Sequence, residues 1–154
     1  MDFKFRIEQA DISQIGTLIK WRKTVLSEVF STPESELPEA LIEQNRLYFE
    51  REIPKGGNLT CFVYYKDEII GCGSVCLYDE MPSPDNLFGK CAYLMNIYTV
   101  PEYRGRGVGS AVVGWLVGGA KERGYFKIYL ETSDAGKPLY KKLGFEDMRG
   151  LMKL

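Results

Sequence analysis

The stretch that decides the fold is residues 96–109, NIYTVPEYRGRGVG. It overlaps the end of Cys91 to Val100, whose nearly continuous apolar run is typical of a strand at the centre of a sheet. Pro101 to Arg106 interrupts regular structure, and the pattern from Val108 to Arg123 predicts a helix. Three glycines therefore lie between a central strand and the first turn of a helix.

A glycine loop in this position suits a diphosphate. It presents several backbone N–H groups, together with the positive end of the helix, to one point. Glycine is needed because a side chain would keep an anion away from the main chain, and because such loops use backbone angles that glycine adopts easily. Arg104 and Arg106 add positive charge beside the loop.

Two other phosphate-binding loops are disfavoured. The P-loop requires Gly-Lys-Ser or Gly-Lys-Thr, and neither occurs in the sequence. A dinucleotide fingerprint requires a third glycine where this chain has Ser110, and its first glycine follows the strand directly, whereas residues 101–104 intervene here. A nucleotide-binding oxidoreductase is therefore the weakest of the functions considered.

The elements around this stretch follow from hydrophobic periodicity, capping residues and turn residues. Upstream they are a strand with Phe3, Phe5 and Ile7 on one face, a helix capped by Asp11 and Gln14, and a helix over Glu39 to Ile53 stopped by Pro54 and Gly56-Gly57. A hairpin of Leu59 to Tyr65 and Glu68 to Tyr78, turning at Lys66-Asp67, follows them. Downstream they are a strand over Phe126 to Glu131, a short helix over Asp134 to Leu143, and a last strand or hairpin over Phe145 to Leu154. The order β-α-α-β-β-β-α-β-α-β predicts one mixed α+β domain over residues 1–154.

Composition excludes several classes of protein. The 154 residues, 45% of them hydrophobic, suffice for one core. With 20 basic and 21 acidic residues there is no polybasic surface for nucleic acid, and the longest apolar stretch, Ala111 to Ala120, is about half of what a membrane span needs. Charges at Asp2, Lys4 and Arg6 argue against a signal peptide and predict a cytoplasmic protein.

The absence of histidine removes the commonest general base and metal ligand, and with it every Ser-His or Cys-His catalytic pair. The four cysteines contain no Cys-x-x-Cys pair, so they are expected to be buried free thiols, and no metal site is predicted.

Residues 96–109 resemble the acetyl-CoA signature of the GCN5-related N-acetyltransferase (GNAT) superfamily. Arg104, Gly107 and Gly109 match its Arg/Gln-x-x-Gly-x-Gly/Ala core. A second similarity lies in residues 130–133, LETS, and residues 138–145, PLYKKLGF, which resemble the family's strand and helix ending in Tyr-x-x-x-Gly-Phe. The resemblance implies a GNAT fold, in which helices flank a mostly antiparallel, twisted and splayed central sheet.

The resemblance also implies a function: direct transfer of an acetyl group from acetyl-CoA to a primary amine of a small molecule or peptide. The backbone of Ile97, Tyr98 and Thr99 would pair with the pantetheine arm, a backbone N–H near Tyr98 would stabilise the oxyanion, and Tyr140 would be the general acid. The other cofactor-binding residues implied are Arg104, Gly105, Arg106, Gly107, Val108, Gly109, Ser110 and Ser133.

The general base is less well defined. Asn96 stands where some relatives carry a carboxylate on the central strand, so Glu131 is assigned this role, with Glu80 or a water chain as alternatives. Ser133 is explained equally well as a helix N-cap. Because the usual base is missing, a non-catalytic CoA-binding or sensing module is the alternative function. A homodimer, common in the family, is left open.

The acceptor site is expected near the first two helices. Trp21, Arg22 and Tyr48 either line the pocket or only pack. Acidic residues crowd the segments around its entrance, which would favour a cationic amine, although solvated loop charge is the commoner meaning of such clusters. They are Glu34, Glu36, Glu39, Glu43, Asp79, Glu80 and Asp85.

Overall fold

Five strands form a single sheet in chain order in the computed structural model, which describes residues 2–154. They are β1 (Arg6–Gln9), β2 (Asn58–Tyr65), β3 (Glu68–Asp79), β4 (Lys90–Thr99) and β5 (Lys127–Leu130). The pairs β1–β2, β2–β3 and β3–β4 are antiparallel, and β5 runs parallel to β4. The predicted α+β class with a mostly antiparallel sheet is confirmed.

Four α-helices accompany the sheet: α1 (Ile15–Val29), α2 (Glu39–Lys55), α3 (Val108–Glu122) and α4 (Lys137–Lys142). The predicted capping box is present before α1, since Ser13 N–H donates to Asp11 Oδ1 at 2.7 Å and Asp11 N–H donates to Gln14 Oε1 at 3.2 Å. α2 continues past Pro54 to Lys55, two residues beyond the predicted end at Ile53, and is capped by Gly56, whose φ is +80°, one of the residues predicted to stop it.

The two faces of the sheet carry separate clusters of buried side chains. α3 packs on one face, where Val112 and Leu116 are fully buried against apolar residues of β2, β3 and β4. α1 and α2 cover the other face, around Phe62 and Cys72. Each fully buried Val, Leu or Phe side chain stabilises the fold by roughly 1.5–3 kcal/mol relative to an exposed one, so both layers fix the sheet.

β4 contains an irregularity in the middle of the sheet. Met95 pairs with Ser74, while Tyr98 pairs with Cys72, so β4 has one residue more than β3 over this segment. Asn96 takes up the difference with a φ of +59°. Such a bulge redirects the main chain that follows it.

β4 and β5 part halfway along β4. Their pairing runs from Cys91 with Lys127 to Leu94 with Leu130 and then stops, although β4 continues to Thr99. The sheet is therefore splayed, as expected, and the edge of β4 after Leu94 faces a gap.

The predicted last strand or hairpin is wrong, because residues 145–154 form neither helix nor strand. The apolar residues Phe145, Met148, Leu151 and Leu154 recur every third position, which gives a strand of period two no consistent face. Instead, Asp147 forms ion pairs with two lysines of α4. None of the helices in residues 2–154 is long and apolar enough to cross a membrane.

Candidate active site

The glycine loop lies just beyond the end of β4 and exposes its main chain. Gly105 and Gly107 have φ angles of +75° and +85°, and a Cβ at either position would meet no atom within 4 Å. No hydrogen bond within residues 2–154 takes the backbone N–H groups of Gly105 to Ser110. The loop therefore offers six consecutive donors beside open space.

The same six residues include the start of α3. Gly107 is its N-cap, so the positive end of a 15-residue helix adds to the loop's N–H groups. The side chain of Val108 is buried in the core, which leaves only its main chain available. Arg106 lies over the ring of Phe3 at 5.1 Å and forms no ion pair with a described residue. This donor set fits a pyrophosphate.

Arg104, the other predicted loop cation, is already engaged. Its Nη2 donates to both carboxylate oxygens of Glu28 at 2.8 and 2.9 Å, and its Nε donates to the Thr99 carbonyl at 2.8 Å. It therefore ties the end of β4 to α1. Sequence reasoning missed Glu28, because the two residues are 76 positions apart and no local pattern joins them.

The open edge of β4 has its own main-chain groups. Val100 N–H donates to the Ile70 carbonyl of β3 at 2.9 Å. Because main-chain groups alternate in direction along a strand, Tyr98 also faces β3, whereas Ile97 and Thr99 face the gap. Of the three predicted pantetheine-binding residues, Ile97 and Thr99 thus have N–H groups at the open edge.

Tyr140 lies on α4 and is half-buried, with its ring 5.8 Å from that of Phe145. Burial raises the pKa of its phenol, so the hydroxyl keeps its proton at neutral pH. The hydroxyl forms no hydrogen bond with residues 2–154. Tyr140 lines a groove of about 770 Å³ between α3, β5, α4 and the C-terminal segment, and Glu131 lines the same groove.

Glu131 follows the last residue of β5, where β4 and β5 part. It is exposed, and its charge helps burial to raise the pKa of Tyr93 on β4. Ser133 has a local partner, since its Oγ accepts the Gly136 N–H at 3.3 Å just before α4. α4 begins only at Lys137, with Gly136 as its N-cap and no side-chain cap, so it is shorter than the predicted Asp134 to Leu143. Ser133 therefore closes the turn before α4 and does not cap the helix itself.

Glu80 is poorly suited to act as the base. Lys127 Nζ donates to its two oxygens at 2.6 and 2.9 Å, and Asn86 donates at 3.1 Å. These hydrogen bonds, with Lys127 first, lower the pKa of Glu80 to about 2. An effective general base has a pKa near the working pH, so Glu80 fits the part of a structural ion pair.

A second cavity, of about 180 Å³, lies on the α1 and α2 side of β4. Arg22 and Tyr48 line it, together with Asn96 of the bulge. Trp21 instead packs near the ring of Tyr98, at 6.2 Å. Two of the three residues expected near an acceptor thus reach one pocket beside the splayed strand.

Comparison with known proteins agrees with this geometry. The model of the acetyltransferase (GNAT) family matches residues 19–145. A glucosamine 6-phosphate N-acetyltransferase of Trypanosoma brucei brucei is 28% identical over 86 residues, 56% of each chain. A thialysine N-epsilon-acetyltransferase of Bos taurus is 38% identical over 63 residues, 39% of this chain and 37% of its own length.

Among solved structures, a predicted acetyltransferase with acetyl-CoA from Clostridium acetobutylicum superimposes with a TM-score of 0.89. It is 28% identical to this chain, and the match covers 98% of this chain and 96% of the other. The family match over residues 19–145, on a splayed sheet that leads into a glycine loop, shows that the chain belongs to the acetyltransferase (GNAT) family.

Proposed function

We propose that this chain is an N-acetyltransferase that moves the acetyl group of acetyl-CoA to the primary amine of a small molecule. The observation that carries the proposal is the run of six unpaired N–H groups, Gly105 to Ser110, directly beyond a strand whose outer edge is open. The names of the two curated relatives, both N-acetyltransferases, support it.

Cofactor binding would use main-chain groups at two places. The N–H groups of Gly105 to Ser110 would hold the pyrophosphate, with Arg106 adding charge beside them. The open edge of β4, at Ile97 and Thr99, would pair with the extended pantetheine arm as a neighbouring strand would. Arg104 would position the loop through Glu28 and Thr99.

When bound, acetyl-CoA supplies a thioester whose carbonyl carbon accepts a nucleophile. A main-chain N–H on β4 beside Tyr98 would donate to the carbonyl oxygen and stabilise the charge that develops there. As the amine nitrogen bonds to the acyl carbon, the carbon–sulfur bond breaks. Glu131, directly or through water, would take the proton that the amine loses, and Tyr140 would protonate the departing thiolate.

The acceptor is proposed to be a small molecule. Both relatives act, by name, on amines of small molecules, glucosamine 6-phosphate and thialysine. The cavity beside β4, at about 180 Å³, has room for one small group of such an acceptor. A cytoplasmic location and a homodimer stay predictions, and light scattering of the purified chain tests the second.

The test is release of coenzyme A thiol from acetyl-CoA in the presence of a panel of amines. Tyr140→Phe is expected to lower kcat by about 10²- to 10⁴-fold, the usual contribution of a general acid, while calorimetry shows an unchanged Kd for coenzyme A. Because burial raises the pKa of Tyr140, activity that depends on its proton should persist up to its ordinary value of about 10.

Tyr65→Phe, in the hairpin away from α4, is the matched control and should leave kcat unchanged. The alternative function, a CoA-binding or sensing module, predicts heat on binding coenzyme A but no thiol release with any amine. A folded chain that gives no heat with coenzyme A or acetyl-CoA would contradict both functions.

A further inference from the structure

The cavity on the α1 and α2 side of β4 carries a single charge. Arg22 is the only charged residue that lines it, and the others are neutral or apolar. The cavity shares no lining residue with the groove at Tyr140. Its volume is about 180 Å³, and a cavity of about 150 Å³ already holds a benzene ring. One small group of a ligand therefore fits beside the guanidinium.

Arg22 has no acidic partner. Its Nε donates to Asn45 Oδ1 at 2.8 Å and its Nη1 donates to Asn96 Oδ1 at 3.0 Å, and both acceptors are neutral amides. No carboxylate within residues 2–154 forms an ion pair with it. Arg22 is half-buried, and burial lowers the pKa of its guanidinium because the charge loses part of its hydration. Buried charges in proteins are normally paired, so this arginine lacks its usual counter-charge.

The remaining donors of Arg22 are accessible. Nη2 forms no hydrogen bond with a described residue, and no fully buried side-chain nitrogen or oxygen in residues 2–154 lacks a partner. Nη2 must therefore have surface open to solvent or ligand. The planar fork of a guanidinium matches the two oxygens of a carboxylate or phosphate, so the free donors suit an oxyanion.

No other group in the cavity supplies negative charge. Tyr48 and Cys76 line it, and burial raises the pKa of both, so they stay neutral. Glu52, the acid whose charge acts on them, is paired with Lys55 at 2.8 Å and Arg51 at 3.0 Å. None of the acidic residues that the sequence placed near the acceptor lines the cavity.

We infer that Arg22 binds an anionic group of the acceptor, so that the substrates are small primary amines that also carry a carboxylate or a phosphate. The inference rests on the proposed function and narrows its acceptor class. Arg22 donates to Asn96 in the bulge of β4, which places a bound anion next to the strand segment that leads to Ile97. The rest of the acceptor then extends along β4 toward the thioester.

The experiment compares acceptors in pairs that differ by the anion alone: lysine with cadaverine, and glucosamine 6-phosphate with glucosamine. In at least one pair, the wild-type chain should show a kcat/KM about 10-fold or more higher for the anionic member. Arg22→Met should remove about 10- to 100-fold of that preference, the range of a lost charge-assisted hydrogen bond, mainly through KM. The two pairs distinguish a carboxylate from a phosphate.

Two further variants separate charge at the site from charge elsewhere. Arg22→Lys keeps the charge but loses the planar fork, and should retain part of the preference. Lys20→Met removes the same charge from an exposed position of α1, outside the cavity, and should leave the preference intact. Each variant is first shown to melt cooperatively and to bind coenzyme A with wild-type affinity.

The inference is overturned if the wild-type chain acetylates both members of each pair equally well, or if Arg22→Met weakens both members equally. Arg22 would then only support the bulge. If no member is acetylated although coenzyme A binds, the proposed function fails separately. Lysine and glucosamine 6-phosphate are then titrated into the coenzyme A complex. Heat that disappears in Arg22→Met supports the anion site, and an absence of heat overturns it.

Discussion

Gly107 meets two requirements at one position. Its φ of +85° disfavours any L side chain, and the space around a Cβ there is open, where the proposed pyrophosphate would lie. Gly107→Ala should lower the free energy of unfolding by about 1–2 kcal/mol, since a left-handed residue is strained by that amount. It should also weaken coenzyme A binding by about 10-fold or more, because a methyl group would separate the anion from the main chain. Calorimetry and denaturant unfolding measure the two effects.

Gly150 offers a closely matched control. It has the same φ of +85° and equally open surroundings, but it lies in the C-terminal segment and is not part of the loop. Gly150→Ala should therefore lose similar stability and keep the wild-type Kd for coenzyme A. Equal losses of affinity in the two variants would contradict the assignment of the loop.

Between elements, the ion pair of Glu80 and Lys127 joins the loop after β3 to β5. Because the pKa of Glu80 is about 2 in the folded chain and higher in the unfolded chain, the pair stabilises the fold above the ordinary carboxyl pKa of about 4.3. This contribution is lost as the pH falls toward 2. Thermal midpoints of the wild-type chain should therefore drop over this pH window, and Glu80→Gln should show a shallower decline.

The matched control for this ion pair is Glu102→Gln. Glu102 is exposed and forms no ion pair with a described residue, so its variant should follow the wild-type curve. If Glu80→Gln declines as steeply as the wild-type chain, the ion pair does not contribute to acid stability. The same variant also tests whether Glu80 is the general base. Removing a general base lowers kcat at neutral pH, whereas removing a structural ion pair should leave kcat unchanged.

Over the whole molecule, regular local patterns in the sequence predicted the helices and strands, whereas contacts between residues far apart in the chain could not be predicted from it. The hairpin turn at Lys66 and Asp67 was correct, and both residues have positive φ, as a tight hairpin turn requires. The last strand failed because the spacing of Phe145, Met148 and Leu151 fits no sheet face.

In the candidate site, too, local features were predicted and long-range contacts were not. The glycine loop was readable because its residues are adjacent in the chain. The partner of Arg104 was not, since Glu28 comes close only after α1 packs near the end of β4. The hydrogen-bond partners of Arg22 could not be predicted either, because Asn45 and Asn96 come from two other elements. Local pattern therefore predicts where the cofactor would bind better than which acceptor would.

The reactivity of the four free cysteines tests whether the core of the folded chain is accessible to solvent. Cys61 and Cys72 are fully buried, and burial raises the pKa of each thiol to about 12. Cys91 is also fully buried, and Cys76, though less so, has a raised pKa. Since the thiolate is the reactive form, a pKa above its ordinary value leaves less of it at neutral pH.

In a titration with a disulfide reagent at pH 7.5, the folded chain should therefore react at no more than one thiol, Cys76, within the time of an enzyme assay. The denatured chain should react at all four. Fast reaction of two or more thiols in the folded chain would mean that the sheet opens between its helical layers. Because these thiols are expected to react slowly, a thiol signal that increases with acetyl-CoA and amine in the activity assay comes from released coenzyme A.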